Sequence, residues 1–143
     1  MKYLSSNFTL EEFTISQEAA RSDLTNDPPP DILEQLYRTA YALEEVRMEL
    51  HDKPVLISSG YRCLDLSRIL GSEDTSQHIL GQAVDFICPE FGSPREIVER
   101  LMVSALSFDI LALERGRWVH ISFSDRNRRE VFTIDSMGKR PFV

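Results

Sequence analysis

Apolar residues at 32, 33, 36, 37, 40, 43, 46 and 50 recur with a helical period and predict the clearest helix of the chain, over 31–50. Its stripe runs Ile32, Leu33, Leu36, Tyr37, Ala40, Leu43, Val46 and Leu50. Before it stands Asp27-Pro28-Pro29-Pro30, a stiff connector that neither helix nor strand can cross. At the front, Phe8-Thr9-Leu10-Glu11-Glu12-Phe13 opens a short helix: Thr9 and Glu12 have capping-box spacing, and Phe8 and Phe13 can staple the turn. Ser93-Pro94-Arg95-Glu96 starts another helix, with an N-cap serine, a first-turn proline and a capping-box glutamate, carrying Ile97, Val98, Leu101, Met102 and Ala105. A short helix over 64–70 closes at Gly71. Strand patterns fall at 53–59 and 82–87, and 109–114, 118–123 and 130–134 read as three strands of an antiparallel meander. Residues 73–80 are polar and loop-like, and the tail over 136–143 has no period and is expected to be loose.

Helices and strands mix without a βαβ rhythm, so the fold class is α+β, a single domain with an antiparallel sheet flanked by helices. Residues 1–50 form a helical layer packed on a core over 53–134. With 143 residues, 42% hydrophobic and 27% charged, the chain has globular composition. Such a length needs no disulfide framework, and Cys63 and Cys88 lack CxxC spacing and read as free thiols. The net charge of −7 is uneven: residues 1–91 hold 7 Lys/Arg against 16 Asp/Glu, and residues 92–143 hold 9 against 7. The acidic front half argues against nucleic acid as a partner. No apolar run is long enough for a membrane span. The start, Met1-Lys2-Tyr3-Leu4-Ser5-Ser6-Asn7, lacks the apolar core of a secretory signal, so synthesis in the cytoplasm is expected.

Of three histidines, His51 ends a helix, where a cation suits the dipole. His78 and His120 keep more suggestive company. A catalytic zinc site uses three protein ligands of nitrogen and oxygen type and leaves a fourth position open. Asp85 stands in the apolar run Ala83-Val84-Asp85-Phe86-Ile87, where a carboxylate is costly unless paired or coordinated. His120 stands in a similar run, two residues after the only tryptophan, Trp118. Each alone also fits a satisfied structural group, a solvent-facing residue or an end cap.

Ser76-Gln77-His78-Ile79-Leu80-Gly81-Gln82-Ala83-Val84-Asp85 followed by Trp118-Val119-His120-Ile121-Ser122 resembles the zinc D-Ala-D-Ala carboxypeptidase family, which also includes D,D-dipeptidases and phage L-Ala-D-Glu endolysins. Upstream, Ser58-Ser59-Gly60-Tyr61-Arg62 is similar to that family's Ser-Gly-Tyr-Arg segment, and the likeness extends to 7–13 and the triple proline. The likeness is greatest to the compact single-domain branch common in bacteria and prophages. It implies a Hedgehog/DD-peptidase-like fold and a zinc metallopeptidase acting on peptidoglycan stem peptides. It makes His78, Asp85 and His120 the zinc ligands and Arg62 a clamp for substrate carboxylate or oxyanion, with Ser76 and Trp118 at the substrate. Gly81 is expected to let the backbone turn sharply between a loop ligand and a strand ligand. A monomer acting on the cell wall once released, for instance by phage lysis, would fit. The rival is a non-hydrolytic zinc-containing wall-binding or phage adaptor module of the same fold.

Several members of that family carry an acidic residue three positions before the last zinc histidine, where this chain has Arg117. The candidate general base is instead Glu114. If Arg115-Gly116-Arg117 is a three-residue hairpin loop, residue 114 faces 118 and residue 112 faces 120. Glu114 then shares a sheet face with His120, about 7–8 Å away between backbones. A two-residue loop would turn it to the other face, and pairing with Arg115 or Arg117 would leave it structural. Asp109 is the fallback base.

Overall fold

A computed structural model describes residues 1–143. The first helix, α1 (Leu10–Thr14), is closed by the expected box: Thr9 Oγ1 accepts from Glu12 N, and Glu12 Oε2 accepts from Thr9 N at 2.6 Å. The Phe8 and Phe13 rings meet edge-on, 6.4 Å apart. A five-residue helix, α2 (Gln17–Arg21), follows Ser16; with Ala19 as its only buried residue, it is too short to print a period in the sequence. The triple proline leads into α3 (Pro30–Glu49), which buries Leu36, Ala40, Leu43 and Val46 as the stripe requires. Thr39 joins that buried face by donating its hydroxyl to Gly81 O at 2.6 Å, which ties α3 to the loop before the second strand. Two further helices are α4 (Leu64–Ile69) and α5 (Pro94–Met102), the latter with its Ser93/Glu96 box formed.

The strands are β1 (Leu56–Ser59), β2 (Ala83–Ile87), β3 (Ile110–Glu114), β4 (Trp118–Ser122), β5 (Glu130–Asp135) and β6 (Gly138–Pro141). They form one mostly antiparallel sheet in the order β1-β2-β4-β3-β5-β6. Val84, Phe86, Leu111, Leu113, Val119 and Ile121 face a single core shared with α3, α5 and the front segment from Leu4 to Phe13. The alternate positions, Asp85, Ala112, Glu114 and His120, occupy the other face. The domain is therefore α+β, and no helix is long and apolar enough to cross a membrane.

Two expectations fail. The last strand of the meander does not continue beside β4: β5 pairs with β3, and in parallel, Ile110 opposite Glu130. The reason is edge occupancy. β2 takes the outer edge of β4, so β3 offers the free edge. Residues 123–129 must then wrap around the start of β3, where Asp109 anchors them. Its buried carboxylate accepts from Arg128 N at 3.2 Å, Arg128 Nε at 2.8 Å and Arg128 Nη2 at 2.8 Å. The tail is likewise not loose, since β6 pairs with β5 through Thr133–Arg140 and Ile134–Lys139. Its residues are all exposed, so it leaves no hydrophobic pattern to read.

Hydrogen bonds from Arg128 hold the Asp109 carboxyl well below the usual range, overcoming the burial that would raise it. A depressed carboxyl stabilises above its unfolded pKa, about 3.9, and that contribution fades as pH falls toward the folded value. Asp109→Asn should cost about 2 kcal/mol at neutral pH, because Arg128 is partly solvated and can recover water. In urea titrations the gap between wild type and variant should narrow from pH 7 to pH 3. An equal gap at both would mean that charge does not anchor the loop.

Candidate active site

His78 is presented by a loop between α4 and β2, folded on itself by Ile79 N donating to Ser76 O and Gln82 N to Gln77 O. Gly81 turns this loop with φ +72, and a side chain there would also crowd Ile32 and Leu36 of α3. The His78 ring is buried, and its Nδ1 lies 2.7 Å from Gly60 O. A carbonyl only accepts, so Nδ1 carries the proton that meets it and Nε2 is the ring nitrogen left to face the cluster. Nε2 lies 3.5 Å from Asp85 Oδ1.

Asp85 sits mid-strand in β2, with His120 of β4 as its direct cross-strand neighbour. His120 Nδ1 lies 2.9 Å from Asp85 Oδ1. Burial pushes the Asp85 carboxyl up, but hydrogen bonds from His120 and His78 outweigh it and hold it well below the usual range. Arg62 approaches the far oxygen, with Nη2 at 3.3 Å from Asp85 Oδ2, while Nε donates to Ser59 Oγ and Nη1 to Ser72 Oγ. The expected clamp thus rests against the carboxylate.

The β3–β4 hairpin has the three-residue loop, with Glu114 opposite Trp118 and Ala112 opposite His120. Arg115 and Gly116 both take positive φ to close it. Glu114 shares the face of His120, its Oε1 3.6 Å from His120 Nδ1, and Trp118 Nε1 donates to Glu114 Oε2 at 3.0 Å. Burial raises the Glu114 carboxyl above its ordinary value, and the Asp85 charge adds to that. Glu114 pairs with neither Arg115 nor Arg117, which are exposed.

His78, Asp85 and His120 could hold a metal ion, because one ligand atom from each lies within 4.8 Å of the others. Ligands about 2.0–2.2 Å from a tetrahedral zinc are roughly 3.3 Å apart. The 3.5 Å and 2.9 Å separations at Asp85 bracket that edge, so the donor set fits. Two cavities meet at this cluster. One of about 1020 Å3 is lined by Glu114, His120, Ser76, Arg126 and Phe132 among others. The other, about 550 Å3, is lined by Asp85, Arg62, Trp118, Tyr61, Leu70 and Ile15 among others.

The remaining sequence candidates fall nearby or elsewhere. Ser76 Oγ accepts from His78 N at 3.2 Å, which stiffens the loop that carries His78. Asp109 is held by Arg128 and by Gln77 Nε2 at 2.8 Å, so it is a strut between two loops and lies outside the donor cluster. Both cysteines are free. The support from Gly60 was not anticipated; a backbone carbonyl carries no signal of its own.

An imidazole and a carboxylate on one sheet face, a second imidazole brought over them by a loop, and a further carboxylate beside them are the apparatus of a metal-dependent hydrolase. The family described as Peptidase M15 matches residues 6–122, and the chain belongs to it. That segment contains the whole donor cluster together with Arg62 and Glu114. Peptidases of this family are zinc-dependent. No curated protein matches the chain.

Gly60 is the joint between this site and α1. A Cβ there would lie 2.6 Å from Phe13 O and 2.8 Å from Phe13 Cα, so the residue must lack a side chain. Gly60→Ala is expected to cost about 1–3 kcal/mol through overpacking. Because Gly60 O orients His78, metal affinity should also fall, by about 10- to 100-fold. Melting in chelator reads the first effect and zinc competition the second; an unchanged affinity would remove the carbonyl's orienting role.

Proposed function

We propose that the protein is a zinc peptidase that hydrolyses peptidoglycan stem peptides. The reading is carried by His78, Asp85 and His120 converging on one sheet face with Glu114 3.6 Å from His120. Zinc held by these donors would polarise the scissile carbonyl and acidify a water molecule. Glu114 takes the proton from the attacking water and returns it to the leaving amine. Trp118 Nε1 holds Glu114 Oε2, leaving Oε1 turned toward His120 for the transfer. Arg62 steadies Asp85, and its guanidinium charge favours the oxyanion that develops in the adjoining cavity. Gly60 O fixes the His78 ring. Ser76 and Trp118 line the two cavities, where they can meet substrate.

The test is release of new amines from purified peptidoglycan. Zinc-loaded protein should release them, a chelator should abolish release, and added zinc should restore it. A zinc-loaded, folded protein that releases none from any wall preparation would reject hydrolysis in favour of a binding module.

A further inference from the structure

The larger cavity at the donor cluster adjoins a further trough of about 470 Å3, with which it shares Gln82, Ser124 and Asp125. The trough runs between α3, which supplies Gln35, Tyr41 and Glu45, and the loop over 123–129, which supplies Phe123 and Asn127. Its volume is that of a site for a small ligand, about 300–1,000 Å3. Phe123 follows His120 by three residues, about 10 Å of extended chain, which sets the reach from the metal donors to the trough.

The lining has a definite chemistry. Tyr41 stands 63% exposed, an aromatic ring that stacks on no other side chain. Phe123, half-buried against the core, lines the same trough. The side-chain amides of Gln82 and Asn127 bond to no group of the protein, and Gln35 spends only its Nε2, on Thr39 Oγ1 at 3.3 Å. An amide both donates and accepts, as a sugar hydroxyl does, and the negative face of an aromatic ring suits the C–H face of a pyranose. Arg38, the one cation of the lining, is paired with Glu34, while Glu45 and Asp125 stand in no ion pair. Two free carboxylates repel an anionic polymer and accept from neutral hydroxyls. An extended peptide would find no backbone to pair with here. The free sheet edges belong to β1 and β6, and neither lines the trough.

We propose that this trough is a saccharide subsite, holding a neutral N-acetylhexosamine of the wall glycan while the attached stem peptide reaches back to the metal donors. This rests on the zinc-peptidase reading. A stem peptide is joined at its amino end to a wall sugar through a lactyl amide, which carries no charge. The amino end of the peptide then lies toward Gln82, with the sugar against Tyr41. Gln82 and Asn127 meet its acetamido group and hydroxyls, and Glu45 and Asp125 accept from the remaining hydroxyls.

The experiment compares two substrates with zinc-loaded protein: a stem peptide carrying N-acetylmuramic acid on its amino end, and the same peptide carrying an acetyl group. An aromatic contact and two or three hydrogen bonds should raise kcat/KM for the sugar-bearing peptide by at least about tenfold, and Tyr41→Ala should cut that ratio to about threefold or less. A second arm needs no turnover. Chitotetraose, a neutral N-acetylglucosamine oligomer, should shift the amide resonances of Gln82 and Asn127 in zinc-loaded protein and leave them in place in Tyr41→Ala. Where the peptides are cut, their ratio decides. Equal kcat/KM for the two, or a sugar preference that Tyr41→Ala leaves whole, overturns the inference and leaves the zinc-peptidase reading standing. If neither peptide is cut, the resonances decide: shifts confined to the trough support the subsite, and their absence overturns it. Failure to release amines from the wall removes the peptidase reading separately.

Discussion

Glu114→Gln should lower turnover on wall peptide by at least about 100-fold while the protein keeps its full complement of zinc. General-base contributions run from about 100- to 10,000-fold. Glutamine keeps the side-chain shape and an oxygen that can accept from Trp118 Nε1, so the hairpin loses only the ability to take a proton. Glu114 is not one of the three clustered donors, and its removal should leave metal affinity within a few-fold of wild type. Metal analysis and single-turnover kinetics on one preparation separate the two effects. Near-normal turnover would deny Glu114 its role. It would not pass that role to Asp109, whose carboxylate is buried and held by Arg128 and Gln77.

Zinc affinity is expected to fall by more than about 100-fold in His78→Ala, since loss of outer-shell support alone costs 10- to 100-fold and here a donor itself is removed. Activity should be lost with it. The ring is buried between Gly60 O and Asp85, so the variant also leaves a small void. A thermal measurement separates folding from binding. Zinc at 1,000 times its dissociation constant stabilises a single-site protein by about 4 kcal/mol. The melting temperature of wild type should rise accordingly, and that of folded His78→Ala should not respond. Equal zinc content in the two proteins would remove His78 from the ligand set.

Much of the site was legible because its residues break local rules. Asp85 and His120 are polar side chains in apolar strands, and the structure makes them cross-strand neighbours. The side on which Glu114 lies followed from loop length alone, because a three-residue turn fixes parity along both strands. The capping boxes at Thr9 and Ser93 and the stripe of α3 were equally local. Strand order was not. Nothing within 130–135 states that β4 has no free edge; that depends on β2, more than forty residues earlier. The four exposed residues of β6 carry no hydrophobic alternation, and their strand exists because β5 offers an edge. Arg62 matched a motif, but its direct bond to Asp85 and the bracing of its other nitrogens by Ser59 and Ser72 are visible only in three dimensions.

The loop that rounds the start of β3 has a use in redesign. Its far end is moored by Arg128 on Asp109, and its near end by Phe123 N donating to Gln82 O. Between those moorings, Ser124, Asp125 and Arg126 line the larger cavity without belonging to any strand. Extra length in a surface loop costs little, about 0.6 kcal/mol per doubling. Residues 124–127 are therefore a cassette: a library of sequences and lengths grafted there could change which peptides enter, while the sheet that carries Asp85, His120 and Glu114 stays as it is.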